Sequence, residues 1–182
     1  MHWALGAVEA VLLADFLSGL AHWIEDCYFS PETPLLGLTI TKNVEHHRNP
    51  VLFVENPWHV TIRSSLVSAV VVGLALAALG LLGPVWLTAL SISVFANQVH
   101  KWAHMRNSAA PRVIRTLQSI RVLQTQRHHL RHHVDSRNTH YCVVTNLLNP
   151  VLDGIYFWRI LEVVVELVSG WERRPDGSVE AV

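Results

Sequence analysis

The sequence predicts an all-α protein, an integral membrane helical bundle with three or four spans. Three long apolar stretches carry this prediction: residues 3–23, 66–82 and 85–102. Each is close to the roughly 20 residues that an α-helix needs to cross the hydrocarbon core of a bilayer. The chain is also 51% hydrophobic and only 15% charged, which is unusual for a soluble domain. Buried helices of a soluble core are the alternative interpretation.

The three stretches differ in their flanks. The first has no positively charged start and no small-residue cleavage site, so it is predicted to be a retained helix and not a signal peptide. The second contains no charged residue and ends at Gly83 and Pro84, which predict a tight turn into the third. The second and third stretches are therefore expected to form a helical hairpin.

Two later segments are predicted to be amphipathic. Residues 111–125 place apolar side chains on one side and arginines on the other, as expected of a helix in the headgroup region. Residues 141–168 are apolar but broken near Pro150, and this segment is either an interfacial helix or a fourth span. We expect residues 1–170 to form a single membrane domain and residues 171–182 a short polar tail.

The charges are unevenly distributed. No aspartate or glutamate occurs between Glu55 and Asp135, whereas arginines are frequent there. Such a region suits nucleic acid or anionic lipid, and the apolar segments around it favour lipid and argue against nucleic acid. We therefore expect four arginines to hold a lipid headgroup: Arg112, Arg115, Arg121 and Arg127. The basic loops also predict that the segments after helices one and three lie on the cytoplasmic side.

Twelve histidines are the most informative feature of the chain. Neutral imidazole is a common ligand for iron, zinc, copper and nickel, and a single zinc ion needs only about three or four protein ligands. The grouping of the histidines predicts a site for more than one metal ion, although a solvated polar helix face is the alternative. The grouped histidines are His46, His47, His100, His104, His128, His129, His132 and His133.

A stripe on the first helix adds to this set. Asp15, Gly19, His22 and Asp26 follow one another at helical spacing. An acid within an apolar run is costly, so Asp15 either serves the site or hydrogen-bonds a neighbouring element. His22 is expected at the end of this helix and His46 in the loop that follows, which predicts a metal site at the cytoplasmic boundary of the membrane.

Four motifs in this order resemble one known family. They are A-D-F-L-S-G-L-A-H-W at 14–23, E-H-H-x-x-P at 45–50, N-Q-V-H-K-W-A-H at 97–104, and R-H-H-L-R-H-H at 127–133 with Y-C at 141–142 and N-x-x-x-D at 149–153. The chain is similar to the Kua/CarF/plasmanylethanolamine desaturase family of membrane lipid desaturases, which also includes the plant plastidial palmitate desaturase. The motifs extend over most of the chain.

The resemblance implies an oxygen-dependent, non-haem diiron enzyme that removes two hydrogens from a lipid alkyl or acyl chain. The metal ligands that it implies are His22, His46, His47, His100, His104, His128, His129, His132 and His133. Of these, His128 is the least needed, because residues 129–133 alone supply the spacing common to membrane desaturases. Further candidates, as ligands or as groups that orient them, are Asp15, Asp26, His140, Asn146 and Asp153.

Three functional alternatives stay open on the residues alone. A hydroxylase would use the same metal site, a membrane zinc hydrolase would need fewer ligands, and a metal-binding sensor would need no catalysis. No flavin, haem or iron–sulfur motif occurs in the sequence. A desaturase of this kind would therefore receive electrons from a separate partner of the ferredoxin or cytochrome type.

One stretch departs from the family pattern. In the plasmanylethanolamine members a further histidine follows the E-H-H motif in a His-Asp-Phe context. The corresponding residues 51–56 of this chain contain Phe53 but no histidine. We expect this difference to bear on the choice of lipid substrate more than on the chemistry.

Overall fold

The computed structural model describes residues 2–134 and 138–174, and within them it contains helices and no strand. The prediction of an all-α fold is thus confirmed for the described residues. The helices are α1 (His2–Cys27), α2 (Gly37–Arg48), α3 (Pro50–Glu55), α4 (Trp58–Thr61), α5 (Arg63–Ala78), α6 (Pro84–Ser93), α7 (Ala96–His104), α8 (Arg112–Ser119), α9 (Gln126–Val134), α10 (Leu148–Gly154) and α11 (Phe157–Ser169).

Two helical segments of the described chain are long and apolar enough to cross a membrane. They are Ala4–Cys27 in α1 and Trp58–Ala78, which joins α4 to α5. Their most apolar windows are only 28% and 11% buried within the protein, whereas a core helix of a soluble protein would be mostly buried. This exposure of apolar surface fits contact with lipid.

The third apolar stretch is not one helix. It is split at residues 94 and 95 into α6 and α7, of ten and nine residues. The break that was expected at Gly83 is confirmed, because Pro84 occupies the first turn of α6. A total of three or four spans stays a prediction.

Small residues allow α1 and α6 to pack closely. Ala10 and Ala14 on α1 meet Ala89 on α6, and all three are fully buried. Such small-residue contacts bring helix backbones together and gain van der Waals packing, the main source of helix association within a bilayer. The contact fixes α1 as the central helix, next to the hairpin formed by α5 and α6.

A buried extended segment, residues 141–145, runs along α1. The Asp15 carboxylate accepts hydrogen bonds from the backbone amides of Val144 and Thr145, at 2.9 and 3.0 Å. The Ser18 hydroxyl accepts from the amide of Val143 at 3.1 Å. Because Asp15 is fully buried, these bonds satisfy both the acid and the amides of a segment without secondary structure.

Gly19 and His22, on the same face of α1, lie beside the two preceding residues of the segment, Cys142 and Tyr141. A Cβ atom on Gly19 would lie 2.6 Å from Cys142 Sγ and 3.1 Å from the Cys142 nitrogen. The His22 ring then contacts the Tyr141 carbonyl through Nδ1 at 3.1 Å. The residues on this face of α1 therefore bind the buried segment along the helix. At position 19 only glycine leaves room for the two backbones to touch.

Two expectations from the sequence need comment. His46 and His47 were expected in a loop, and this was wrong: both lie on α2, whose Ile40 and Val44 are buried and give the helix an apolar face. In the expected polar tail, Arg174 donates from its backbone amide to the Cys27 carbonyl at 2.8 Å, so the tail begins packed against α1. Residues 175–182 lie outside the described residues.

The substitution Gly19→Ala tests the seat of the extended segment. We expect it to destabilise the protein by about 1–3 kcal/mol, because a methyl group at this position must displace the Cys142 backbone. Gly6→Ala is the matched control on the same helix, since its nearest neighbour would be 3.9 Å away. Thermal unfolding in detergent measures both variants, and equal melting temperatures would contradict the close contact.

Candidate metal centre

Eight of the nine predicted histidine ligands converge in two adjacent groups, and Asp26 joins them. Within each group the ligand atoms all lie within 4.8 Å of one another. The five-histidine group consists of His46, His100, His104, His129 and His133. The Asp26 group consists of His22, Asp26, His47 and His132.

Helix geometry explains how so few elements supply both groups. His100 and His104 are one turn apart on α7, as His129 and His133 are on α9, so each pair points to the same place. His132 precedes His133 on α9 and faces the other group. Neighbouring residues on a helix point about 100° apart, which lets one helix contact two centres.

Helix α2 divides its ligands in the same way. His46 belongs to the five-histidine group and His47 to the Asp26 group. On α1, His22 and Asp26 lie one turn apart and face the same centre. Four helices that are distant in sequence therefore meet at the carboxyl end of α1.

The Asp26 group has a donor arrangement that suits a cation. His22 and His132 direct Nδ1 at the backbone carbonyls of Tyr141 and Thr139, at 3.1 and 2.8 Å. A carbonyl can only accept, so the hydrogen of each ring is on Nδ1 and each Nε2 of a neutral ring carries a lone pair. These Nε2 atoms lie 3.5 and 3.2 Å from Asp26 Oδ2. Lone pairs on nitrogen and oxygen repel each other at such distances, and a cation bound between them would make the arrangement favourable.

The five-histidine group shows the same feature between rings. The Nε2 atom of His100 lies 2.8 Å from that of His129 and 3.3 Å from that of His104, and the Nε2 atoms of His129 and His133 are 3.1 Å apart. In a neutral ring, each nitrogen carries either a hydrogen or a lone pair. The Nε2 atoms of His100 and His129 each take part in two of these contacts, so they cannot form a hydrogen bond in both. Lone pairs directed at one metal ion remove the conflict.

Unpartnered nitrogen atoms point to the same conclusion. The Nε2 atoms of His22 and His132, both in the Asp26 group, are buried and have no hydrogen-bond partner among the described residues. An unsatisfied buried polar group costs about 1–3 kcal/mol, so a set of them needs a compensating ligand. The residues present therefore fit a metal cation.

The two groups are close enough to form one centre. The rings of His22 and His100, which belong to different groups, have centroids 5.3 Å apart. The rings of His47 and His133 are 4.9 Å apart. Such proximity favours two neighbouring ions over two independent sites.

Burial favours the neutral form of three imidazoles of the five-histidine group, the form that binds metal. Burial, followed by the neighbouring His104, holds the pKa of His46 well below its ordinary value. The same two causes, in the same order, lower the pKa of His129. Burial and then His132 lower the pKa of His133.

His128 lies outside both groups. Its Nε2 atom contacts Asn149 Nδ2 at 3.2 Å, and its ring packs edge-on against that of His140 with centroids 4.9 Å apart. His140 in turn contacts Asp153 through Nδ1 at 3.0 Å. These side chains form a separate polar cluster beside α9, so the structure does not bring His128, His140 or Asp153 to the metal centre.

The remaining candidates from the sequence are also placed away from the ligand atoms. Asp15 seats the extended segment, as described above. Asn146 accepts from the Thr125 amide at 3.1 Å, just before α9 begins. Of the four arginines, Arg112, Arg115 and Arg127 line one surface cavity, and Arg121 is not among its lining residues.

Sequence reasoning missed several groups that hold the centre in place. Asn43 on α2 donates to Asp26 Oδ1 at 2.6 Å, and its position one turn before His47 was a usable signal. The Phe53 ring covers His46 and His100, with centroids 4.8 and 5.1 Å away. Arg174 donates to the carbonyls of Glu25 and Asp26 at 3.1 and 2.7 Å, and no local pattern predicts this contact.

Two neighbouring histidines on α9 provide a direct test of the metal centre. His129→Ala is expected to lower the metal content of the purified protein by at least one ion per chain, because it removes a ligand atom from the five-histidine group. His128→Ala removes the same ring one position earlier and is expected to retain the metal. Elemental analysis of untagged protein measures both, and equal losses would argue against the assignment.

Metal-free protein should lose stability as the pH falls below about 6.5. The pKa values of His46 and His129 are lowered in the folded state from 6.5, so below that pH the unfolded chain binds protons that the folded chain does not. Each such histidine costs up to about 1.4 kcal/mol per pH unit. Melting temperatures of chelator-treated protein at pH 7.5 and 5.5 measure how steeply stability depends on pH. If the double variant His46→Ala/His129→Ala showed the same dependence, these two histidines would not be its cause.

Comparisons with known proteins identify the family of the chain. The profile of the lipid desaturase domain matches residues 11–176. The chain is 32% identical to plasmanylethanolamine desaturase 1 of Mus musculus, over 94% of this chain and 68% of that protein. It is 31% identical to the chloroplastic fatty acid desaturase 4-like 2 of Arabidopsis thaliana, over 92% of this chain and 61% of that protein.

A third relative is a probable fatty acid desaturase of Acanthamoeba polyphaga mimivirus, 32% identical over 92% of this chain and 84% of that protein. The chain thus spans between 61% and 84% of the length of these three relatives. No solved structure matches it. Since the domain profile covers most of the chain, as the motifs predicted, the chain belongs to the lipid desaturase family.

Proposed function

We propose that this protein is a membrane lipid desaturase that uses two iron ions and O2 to introduce a double bond into a lipid alkyl or acyl chain. The observation that carries the proposal is the pair of adjacent ligand groups in a chain of the lipid desaturase family. Together the groups offer eight imidazoles and one carboxylate, more than a single zinc ion can use. Imidazoles combined with a carboxylate are a common donor set for non-haem iron.

Two bound irons would supply the oxidising power to break an unactivated C–H bond, which side-chain acid–base chemistry cannot do. The residues of this chain set the conditions. The carbonyls of Tyr141 and Thr139 fix the tautomers of His22 and His132, and Asn43 orients the Asp26 carboxylate. Such outer contacts hold ligands at the angle that a metal requires.

Phe53 is the group that we assign to the substrate chain. It is an apolar ring packed directly on two ligands of the five-histidine group. In this position it excludes water from the rings and offers an apolar surface to a hydrocarbon chain. It lies in the stretch where the plasmanylethanolamine members carry an additional histidine, so it is a candidate for setting the choice of lipid.

The substrate is proposed to be a membrane lipid. The relatives are named for two substrate classes, plasmanylethanolamine and fatty acids, and both contain the long saturated chain that this chemistry needs. Two apolar helices support association with the membrane. We place the metal centre at the cytoplasmic face, and we assign the electrons to a separate donor of the ferredoxin or cytochrome type.

Metal analysis and lipid profiling test this function together. Protein purified without a histidine tag is expected to hold about two irons per chain, and expression in cells should produce lipids two hydrogens lighter than their precursors. The His129→Ala variant should abolish the new lipids, whereas His59→Ala should not, since His59 is exposed and outside both groups. One zinc per chain, or a hydroxylated product in place of the alkene, would overturn the proposal.

A further inference from the structure

A basic cavity lies outside the metal centre, between α8 and the start of α9. Its volume is about 780 Å³, within the range of small-molecule sites. Arg112, Arg115, Thr116 and Ser119 form one wall, because their spacing places them on one face of α8. Arg127, in the first turn of α9, also lines the cavity.

Among the described residues, no acidic side chain pairs with the charges of this cavity. Within the described part of the chain, the guanidinium groups of Arg112, Arg115 and Arg127 form no ion pair, and no lining residue is acidic. Three positive charges around one space repel each other, and an anion between them relieves that repulsion. Thr125 and Gln126 also line the cavity, so the amino end of α9, the positive end of its dipole, lies beside it.

The surroundings favour a lipid as the source of that anion. On α8 and just after it, Val113 and Ile120 are 63% and 62% exposed, so the element that carries the arginines also presents apolar side chains to its environment. This combination is typical of a helix in the headgroup region of a bilayer. An acidic protein, by contrast, needs a broad contact surface and not a cavity.

We propose that this cavity binds the phosphate of the lipid substrate, with Arg112, Arg115 and Arg127 as its ligands. The assignment rests on the proposed function and names the residues of this chain that would hold the headgroup of its substrate. Helix α9 links this site to the metal centre, since Arg127 lines the cavity and His129, two residues later, belongs to the five-histidine group. Arg121 is excluded from the site, unlike the expectation from the sequence.

A binding measurement tests the site without any turnover. Protein in detergent micelles is titrated calorimetrically with three probes: dihexanoyl phosphatidylglycerol, dihexanoylglycerol and inorganic phosphate. We expect the phospholipid to bind, the phosphate-free lipid to show no binding, and inorganic phosphate to bind more weakly. Arg115→Gln and Arg127→Gln should each weaken phospholipid binding by about tenfold or more, because each removes a charge-assisted hydrogen bond.

Arg121→Gln is the matched control, with the same charge change outside the cavity. It should alter binding less than about twofold. A loss equal to that of the cavity variants would mean diffuse surface attraction, and phosphate binding as tight as the phospholipid would mean a free-anion site. Unchanged lipid affinity with a raised KM for a reduced ferredoxin would assign the arginines to the electron donor. Each of these outcomes would overturn the proposal.

The metal content of the arginine variants keeps this test separate from the proposed function. It should equal that of the unmodified protein, because the arginines contact neither ligand group. Specific phospholipid binding in a protein that makes no desaturated lipid would count against the desaturase assignment and leave the cavity assignment intact. An active protein whose arginine variants bind lipid normally would count against the cavity assignment and leave the desaturase assignment intact.

Discussion

The backbone of residues 141–145 has no helix or sheet to satisfy its amides, yet it is buried against α1. Asp15 and Ser18 solve this problem with three hydrogen bonds to consecutive amides, and Gly19 lets the two backbones touch. Because the segment is fixed in this way, the Tyr141 carbonyl lies where it can accept from His22. The tautomer of His22, a candidate metal ligand, thus depends on an aspartate two turns away.

Local spacing and tertiary placement explain what the sequence could and could not predict. The pairs on α7 and α9 followed from helical periodicity, and both are brought into one group. His128 and His132 have the same spacing and share a face of α9, but they lie one turn apart and meet different neighbours: Asn149 for one and Asp26 for the other. Periodicity fixes which residues share a face and carries no information about which neighbour that face will meet.

The helical character of α2 was missed for a related reason. Its polar composition is typical of a loop. A helix is favourable there because it buries Ile40 and Val44 against the rest of the protein. The contacts of Arg174 were equally unpredictable, since its partners are 148 and 149 residues away. An arginine that caps the last carbonyls of α1 complements the negative end of the helix, next to the candidate ligand Asp26.

In the proposed complex, the two sites lie on different sides of α9, and this limits how the lipid can reach the metal centre. An α-helix with its side chains is about 10–12 Å wide, and Arg127 and His129 differ by only about 3 Å along its axis. Residues two apart on a helix also point about 200° apart, so a phosphate held by Arg127 would lie about one helix diameter or more from the five-histidine group. The lipid chain would therefore have to pass around α9 before its carbons come within reach of the centre.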